Sequence, residues 1–235
     1  MSKFTWFSGR GPALTQQQLE RRQALALPAP LDERPLHQQR FVVLDLETTG
    51  LNLRRDLVLA IGAVVIDDGA IDFAEQFECT LCRPNHQASV STLIHGIAPS
   101  EVARGVEPAQ ALLEFMEFVG DSPLLAFHAG FDQRMLARAL KQSLDYRLQH
   151  HFFDVAEIAP LLCPDGSSQL RGLDAWVDAF GLQVQQRHHA SADALVTAEL
   201  ALMLFSKARR QGIDSLVELE RQLSSRRRRQ QAMSL

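Results

Sequence analysis

Three cysteines in 235 residues are too few, and odd in number, to staple a chain of this length. Reduced thiols are therefore expected at Cys79, Cys82 and Cys163. The pair in Cys79-Thr-Leu-Cys82 has the spacing of half a zinc site, but no second pair completes it. A basic excess is also lacking, since 24 Lys and Arg stand against 28 Asp and Glu, a net charge of −4. That balance excludes a chain-wide electrostatic grip on a polyanion and leaves only local basic patches. No stretch approaches the roughly 18 consecutive apolar residues of a membrane span, and the N-terminal MSKFTWFSGRGPALTQQQ has no apolar core of a signal peptide. A soluble, cytoplasmic protein with no membrane association is the expectation. No G-x-G-x-x-G follows the strand-like FVVLDLE, which argues against a dinucleotide-binding domain, and no internal repeat appears.

What is present is a chain 46% hydrophobic, enough for one sizeable core. Residues 1–39 read as an extension, a Gln/Arg/Leu segment with short-helix character followed by Pro28, Pro30 and Pro35. From Phe41 the pattern turns strand-like: FVVLDLE, LVLAIGAVVID and IDFAEQFECTL, the last two joined at Asp67-Asp-Gly69, a hairpin-type turn. A loop is expected at LIHGIAPSE. Helical spacing follows over Pro108 to Val119, then a short strand in PLLAFH and a helix in FDQRMLARALKQ. The second half reads as mostly helical, ending in a long helix from about Ser191. Strands first, then strands and helices in alternation, predict an α/β domain with a mixed sheet over residues 40–210. Residues 211–235 read as a C-terminal helix and a tail in which Arg226 to Arg229 form either a solvated basic end, cations there also suiting a helix dipole, or a nucleic-acid-binding tail, the first being favoured.

The chemistry is in the carboxylates. On a strand Asp45 and Glu47 share one face, one pleat repeat apart, and repel each other unless a cation lies between them. An isolated D-x-E is more often a strand end emerging into solvent. Asp132, just after the strand LLAFH, and Asp193, in the first turn of the long helix, each also have the simple role of an acid near a helix N-terminus. Together, at strand and helix ends that meet at one sheet edge, four carboxylates would bind hard divalent cations such as Mg²⁺ or Mn²⁺ through oxygen. Two such ions form the clamp used in phosphodiester hydrolysis, and His188, five residues before Asp193 on the segment leading into the long helix, is placed to swing in as the general base.

DLETTG, FHAGFD and HHASAD, in that order, resemble the three motifs of the DEDDh exonucleases, the family of the epsilon proofreading subunit of bacterial DNA polymerase III and of ribonuclease T. The similarity runs from about Gln39 to Ala208. It implies a ribonuclease H-like fold, a mixed five-stranded sheet with helices on both faces. It also implies metal ligands Asp45, Glu47, Asp132 and Asp193 for two divalent cations, and His188, not His189, as general base. Substrate contacts are implied at Leu46, Thr48, Thr49, Ile94, His95, His128 and Phe131. Phe127-His128 stands where the family commonly has His-Asn, a departure that bears on nucleotide preference.

The activity implied is removal of nucleoside 5′-monophosphates from single-stranded or frayed DNA or RNA 3′ ends. An oligoribonuclease-like enzyme acting on very short RNAs, and a ribonuclease H-like binding module without turnover, are the alternatives. All five positions are filled, which counts against the last. The acidic net charge leaves polymer affinity to the metals and to a few cations, Arg134, Arg138, Arg171 and Arg187, and suits short substrates or delivery by a partner. A protein partner or a homodimer formed through the terminal extensions would meet that need.

Overall fold

A computed structural model of the chain describes residues 13–88, 90–165, 167–184 and 187–233. Residues 1–12 of the expected N-terminal extension and the last two of the tail lie outside the described residues. Helix α1 (Gln16–Ala24) opens with a capping box in which Thr15 and Gln18 satisfy each other's backbone N–H groups. Strands β1 (Phe41–Thr48), β2 (Val58–Asp67) and β3 (Ala70–Thr80) follow, then short helices α2 (Val90–His95) and α3 (Pro99–Ala103). These two occupy the stretch expected as a loop. Each spans six residues or fewer, too little for an apolar period to register.

Helix α4 (Pro108–Val119) is capped by Glu107, whose carboxylate accepts from the N–H groups of Ala109 and Gln110. Strand β4 (Leu124–Ala126), α5 (Ala129–Leu144), β5 (Phe152–Asp154), α6 (Val155–Leu162), α7 (Gly172–Ala179), α8 (Ala190–Arg210) and α9 (Leu216–Met233) complete the order. The sheet order is β3-β2-β1-β4-β5, with β1 antiparallel to β2 and parallel to β4. This is the mixed five-stranded α/β sheet that the sequence and its resemblance lead one to expect. The fifth strand lies in a segment that reads as mostly helical, because three residues carry no period of their own.

Alternation along β1 sorts its side chains between two apolar layers. Phe41 and Val43 pack with α6, α7, α8 and α9, while Val42, Leu44 and Leu46 pack with α4 and α5. Helices thus cover both faces, and β2 is buried from Val58 to Ile66 as a strand under helices on both sides should be. Asp45 and Glu47 continue the face of Phe41 and Val43, toward α8.

The terminal segments lie against this body. Arg21 on α1 forms an ion pair with Glu117 at 2.7 Å and a hydrogen bond to Gln110, while Arg22 donates to the Leu144 carbonyl at 2.8 Å. Leu31 and Leu36 join the layer under α9, whose Leu216, Leu219 and Leu223 are buried. Within the expected basic tail, Arg226 donates to the Pro160 carbonyl and Arg227 pairs with Glu157 at 2.7 Å. Among the described residues no helix is long and apolar enough to cross a membrane.

Candidate metal centre and its surroundings

In open α/β sheets, ligands sit in the crevice beyond the carboxyl ends of the parallel strands. Here β1, β4 and β5 all deliver acids to that edge: Asp45 and Glu47 near the end of β1, Asp154 at the end of β5, and Asp132 one turn into the helix that follows β4. Asp193, in the first turn of α8, arrives from the face that Asp45 and Glu47 share. Its approach depends on Gly62, which lies opposite Asp45 in the β1–β2 register. A Cβ on Gly62 would stand 2.2 Å from the backbone C of Ala190 and N of Ser191, so only glycine lets α8 begin this close to the sheet.

One carboxylate oxygen each from Asp45, Glu47 and Asp193 lie within 4.8 Å of one another. Asp132 lies beside them, buried, with its carboxyl drawn on by the backbone N–H groups of Leu46 and of its own residue. Burial and mutual repulsion hold Asp45, Glu47 and Asp132 above the ordinary carboxylate range. Asp45 is pushed up to about 7, first by desolvation and then by Asp193. Glu47 rises to about 8 through desolvation and repulsion from Asp45 and Asp193. Asp132 is raised well above its usual value by burial and by Asp45. Arg187 offsets part of the repulsion at Asp45 and Glu47. The donor set is all hard oxygen, converging and under-neutralised, which fits Mg²⁺ or Mn²⁺ rather than a softer metal.

The neighbouring side chains occupy definite places. His188 has φ +60° and is exposed, and its backbone N–H donates to Asp193 Oδ2 at 3.1 Å. His189 faces elsewhere, with Nδ1 3.0 Å from Ser191 Oγ and Nε2 3.5 Å from Glu78 on β3. Thr48 Oγ1 donates to the Gly50 carbonyl, and Thr49 Oγ1 bonds Asp56 and accepts from the N–H of Leu57. The Thr49 carbonyl accepts from Ser91, which brings α2 beside the end of β1. Ile94 on α2 is 54% exposed, whereas His95 is buried, its Nδ1 accepting from the Ile97 N–H and its Nε2 without a hydrogen-bond partner among the described residues.

Leu46 sends its side chain into the core and only its backbone toward Asp132. Phe131 packs partly on the α4–α5 layer. His128 caps α5 in the left-handed conformation (φ +62°) and is exposed, with Phe127 edge-on to its ring at 4.8 Å. Of the four cations named from the sequence, Arg187 is the one paired with an acid of the cluster. Arg134 instead donates to the Gly130 carbonyl within α5.

Two acids of consequence carry no motif signal. Asp154 caps α6 through the Ala156 N–H and also accepts from the His128 N–H, both at 2.9 Å. One carboxylate therefore fastens the start of the helix that carries Asp132. Asp174, in the first turn of α7, forms an ion pair with Arg187. Both pairings are tertiary, and sequence spacing alone does not disclose them.

The exonuclease family model, RNase_T, matches residues 42–201. The chain belongs to the exonuclease family. With DLETTG, FHAGFD and HHASAD all inside the matched stretch, it falls among the DEDD exonucleases of the ribonuclease H-like superfamily. This exonuclease is 34% identical over 77% of its length to the PolC-type DNA polymerase III of Thermotoga petrophila. It is 28% identical over 79% of its length to that of Bacillus subtilis. It spans only 13% of either relative's length. In fold it is similar to exonuclease I of E. coli, solved as a complex with single-stranded DNA, at a TM-score of 0.63 and 20% identity, covering 74% of this exonuclease and 42% of that chain.

Proposed function

We propose that this exonuclease hydrolyses the terminal phosphodiester at the 3′ end of single-stranded or frayed DNA or RNA, releasing nucleoside 5′-monophosphates. The observation that supports this reading is the convergence of Asp45, Glu47 and Asp193 within 4.8 Å, with Asp132 buried beside them. These four acids would hold two divalent cations. When bound, Mg²⁺ or Mn²⁺ ions supply charge stabilisation to the attacking and leaving oxygens of the displacement. The rigid β1 strand fixes Asp45 and Glu47, and the α5 and α8 starts bring Asp132 and Asp193 to the same place, so little reorganisation accompanies turnover.

His188 takes the proton from the attacking water. Its exposure leaves the ring free to turn toward the acids it adjoins, as a general base must. Thr49, Ile94, His95, His128 and Phe131 would receive the terminal nucleotide, with Thr48 and the backbone at Leu46 holding the strand end beneath it. The buried, unpartnered Nε2 of His95 is a polar group that a substrate oxygen would satisfy. With a net charge of −4 the body adds little general affinity for a long polymer, which favours short single-stranded ends.

Release of mononucleotides from oligonucleotides labelled internally, and loss of signal from 3′-labelled DNA and RNA, in Mg²⁺ or Mn²⁺ test the reading directly. Asp45→Ala and Asp193→Ala abolish turnover; His188→Ala lowers it severely and leaves metal binding intact. Pure protein that cleaves none of these substrates sinks the proposal. Relative rates on dinucleotides and 20-mers separate a general exonuclease from an oligoribonuclease-like one.

A further inference from the structure

Two consecutive residues grip the two oxygens of one proposed metal ligand. The Arg187 guanidinium pairs with Asp193 Oδ1 through Nη1, and the His188 N–H donates to Asp193 Oδ2 at 3.1 Å. The same guanidinium pairs through Nε with Asp174. The surroundings of the two acids differ sharply: the Asp193 side chain is 8% exposed and that of Asp174 69%. Arg187 thus bridges an acid in the metal cluster and an acid on the rim of α7. A divalent cation on Asp193 would stand beside this guanidinium and repel it, so the two positive charges compete for one carboxylate.

We propose that Arg187 is a tethered counter-ion which a divalent cation displaces from Asp193, and that Asp174 is the rim site that retains the guanidinium when this happens. This rests on the reading of Asp45, Glu47, Asp132 and Asp193 as metal ligands. Arg187 immediately precedes His188, so a shift of the guanidinium toward Asp174 also moves the backbone that carries the proposed base. Metal loading and placement of His188 become one event. Arg187 is in this scheme a positioning residue. Its rigid planar fork suits two carboxylates at once, which a lysine ammonium on a flexible stem does not match.

Calorimetric titration of the full chain with Mn²⁺ alone tests the assignment, through a double-mutant cycle on Arg187 and Asp174. Arg187→Gln removes the competitor and tightens Mn²⁺ binding by about tenfold, the scale of one charge-assisted contact. Asp174→Asn removes the rim site, leaves the guanidinium on Asp193 alone, and weakens Mn²⁺ binding several-fold. In the Arg187→Gln background Asp174→Asn has no guanidinium to redirect, and its effect disappears. Equal effects of Asp174→Asn in both backgrounds would mean plain through-space electrostatics and would overturn the proposal. The melting temperature supplies a second readout: the rise caused by saturating Mn²⁺ is larger in Arg187→Gln than in the unaltered chain, and an equal rise also overturns it. Asp45→Asn serves as the control on the underlying reading. If Mn²⁺ binds equally well to that variant, the metal-ligand assignment itself has failed, whatever the cycle shows.

Discussion

Replacing Gly62 by alanine adds one methyl group to a β2 position that carries no motif, and it should disable the site. The new Cβ would lie 2.2 Å from backbone atoms of Ala190 and Ser191 and 2.6 Å from the Ala190 carbonyl oxygen, where ordinary contact begins at 3.4 Å. The atoms it meets are backbone, so no side-chain rotation relieves the clash. The start of α8 must retreat by about 1.2 Å, the difference between those two distances. Asp193, in that first turn, retreats with it. Metal–ligand distances tolerate only about 0.2 Å, and a misplacement of about 1 Å in a catalytic array costs on the order of 10²-fold. Gly62→Ala should therefore lower kcat/KM on a 3′-labelled oligonucleotide at least about 100-fold and weaken Mn²⁺ binding in calorimetry. Overpacking of this kind destabilises by about 1–3 kcal/mol, so the circular dichroism spectrum should stay native. At roughly 2–4 °C per kcal/mol for a chain of this length, the melting temperature falls by several degrees. A folded variant with unaltered Mn²⁺ affinity and rate would refute the claim that Gly62 sets the position of Asp193.

Further expectations concern the acids and the core. In EDTA, Asp45 and Glu47 have folded-state pKa values near 7 and 8, above the usual carboxylate value near 4. The folded state then binds more protons than the unfolded one, so the penalty is absent below about pH 4, grows as pH rises and is complete above about pH 8. Melting temperatures in EDTA should fall between pH 5.5 and 8.5, with a shallower fall in Mn²⁺ or in the Asp45→Asn/Glu47→Gln double variant; parallel curves would count against this origin. Asp154→Ala uncaps α6 and frees the His128 N–H, costing about 1–2 kcal/mol in urea denaturation and lowering kcat through Asp132, whereas Asp154→Asn, whose amide oxygen can still accept both bonds, retains most of each. Leu219→Ala, in a fully buried position on α9, should cost about 2–5 kcal/mol in the same denaturation assay and leave Mn²⁺ affinity unchanged.

How much of this was legible in the sequence depended on distance along the chain. The strands β1 and β2 announced themselves through apolar runs and β3 through the Asp67-Asp-Gly69 turn that joins it to β2, and α4, α5 and α8 through their periodicity. Strand β5 and helices α2 and α3 are too short to carry a period, and tertiary packing decides them. Asp45, Glu47, Asp132 and Asp193 were nameable because their motifs are local. What holds them is not local. Gly62 stands 128 positions before Ala190, whose backbone it accommodates, and Asp154 reaches back to His128. Arg187 was visible as a cation, but its pairing with both Asp174 and Asp193 required α7 and α8 to be in place.

The family match ends at residue 201, yet the layer of side chains beneath α9 does not. Leu31 and Leu36 from before β1, and Leu216, Leu219 and Leu223 from after α8, interlock with Phe41, Val196 and Phe205 in one continuous body. The part that resembles other exonucleases is therefore smaller than the part that must move together if this domain is transplanted. A graft or truncation drawn at the ends of the similarity would strip leucines from the shared layer and leave an oily, aggregation-prone face on the helix side of the sheet. The portable unit includes both straps.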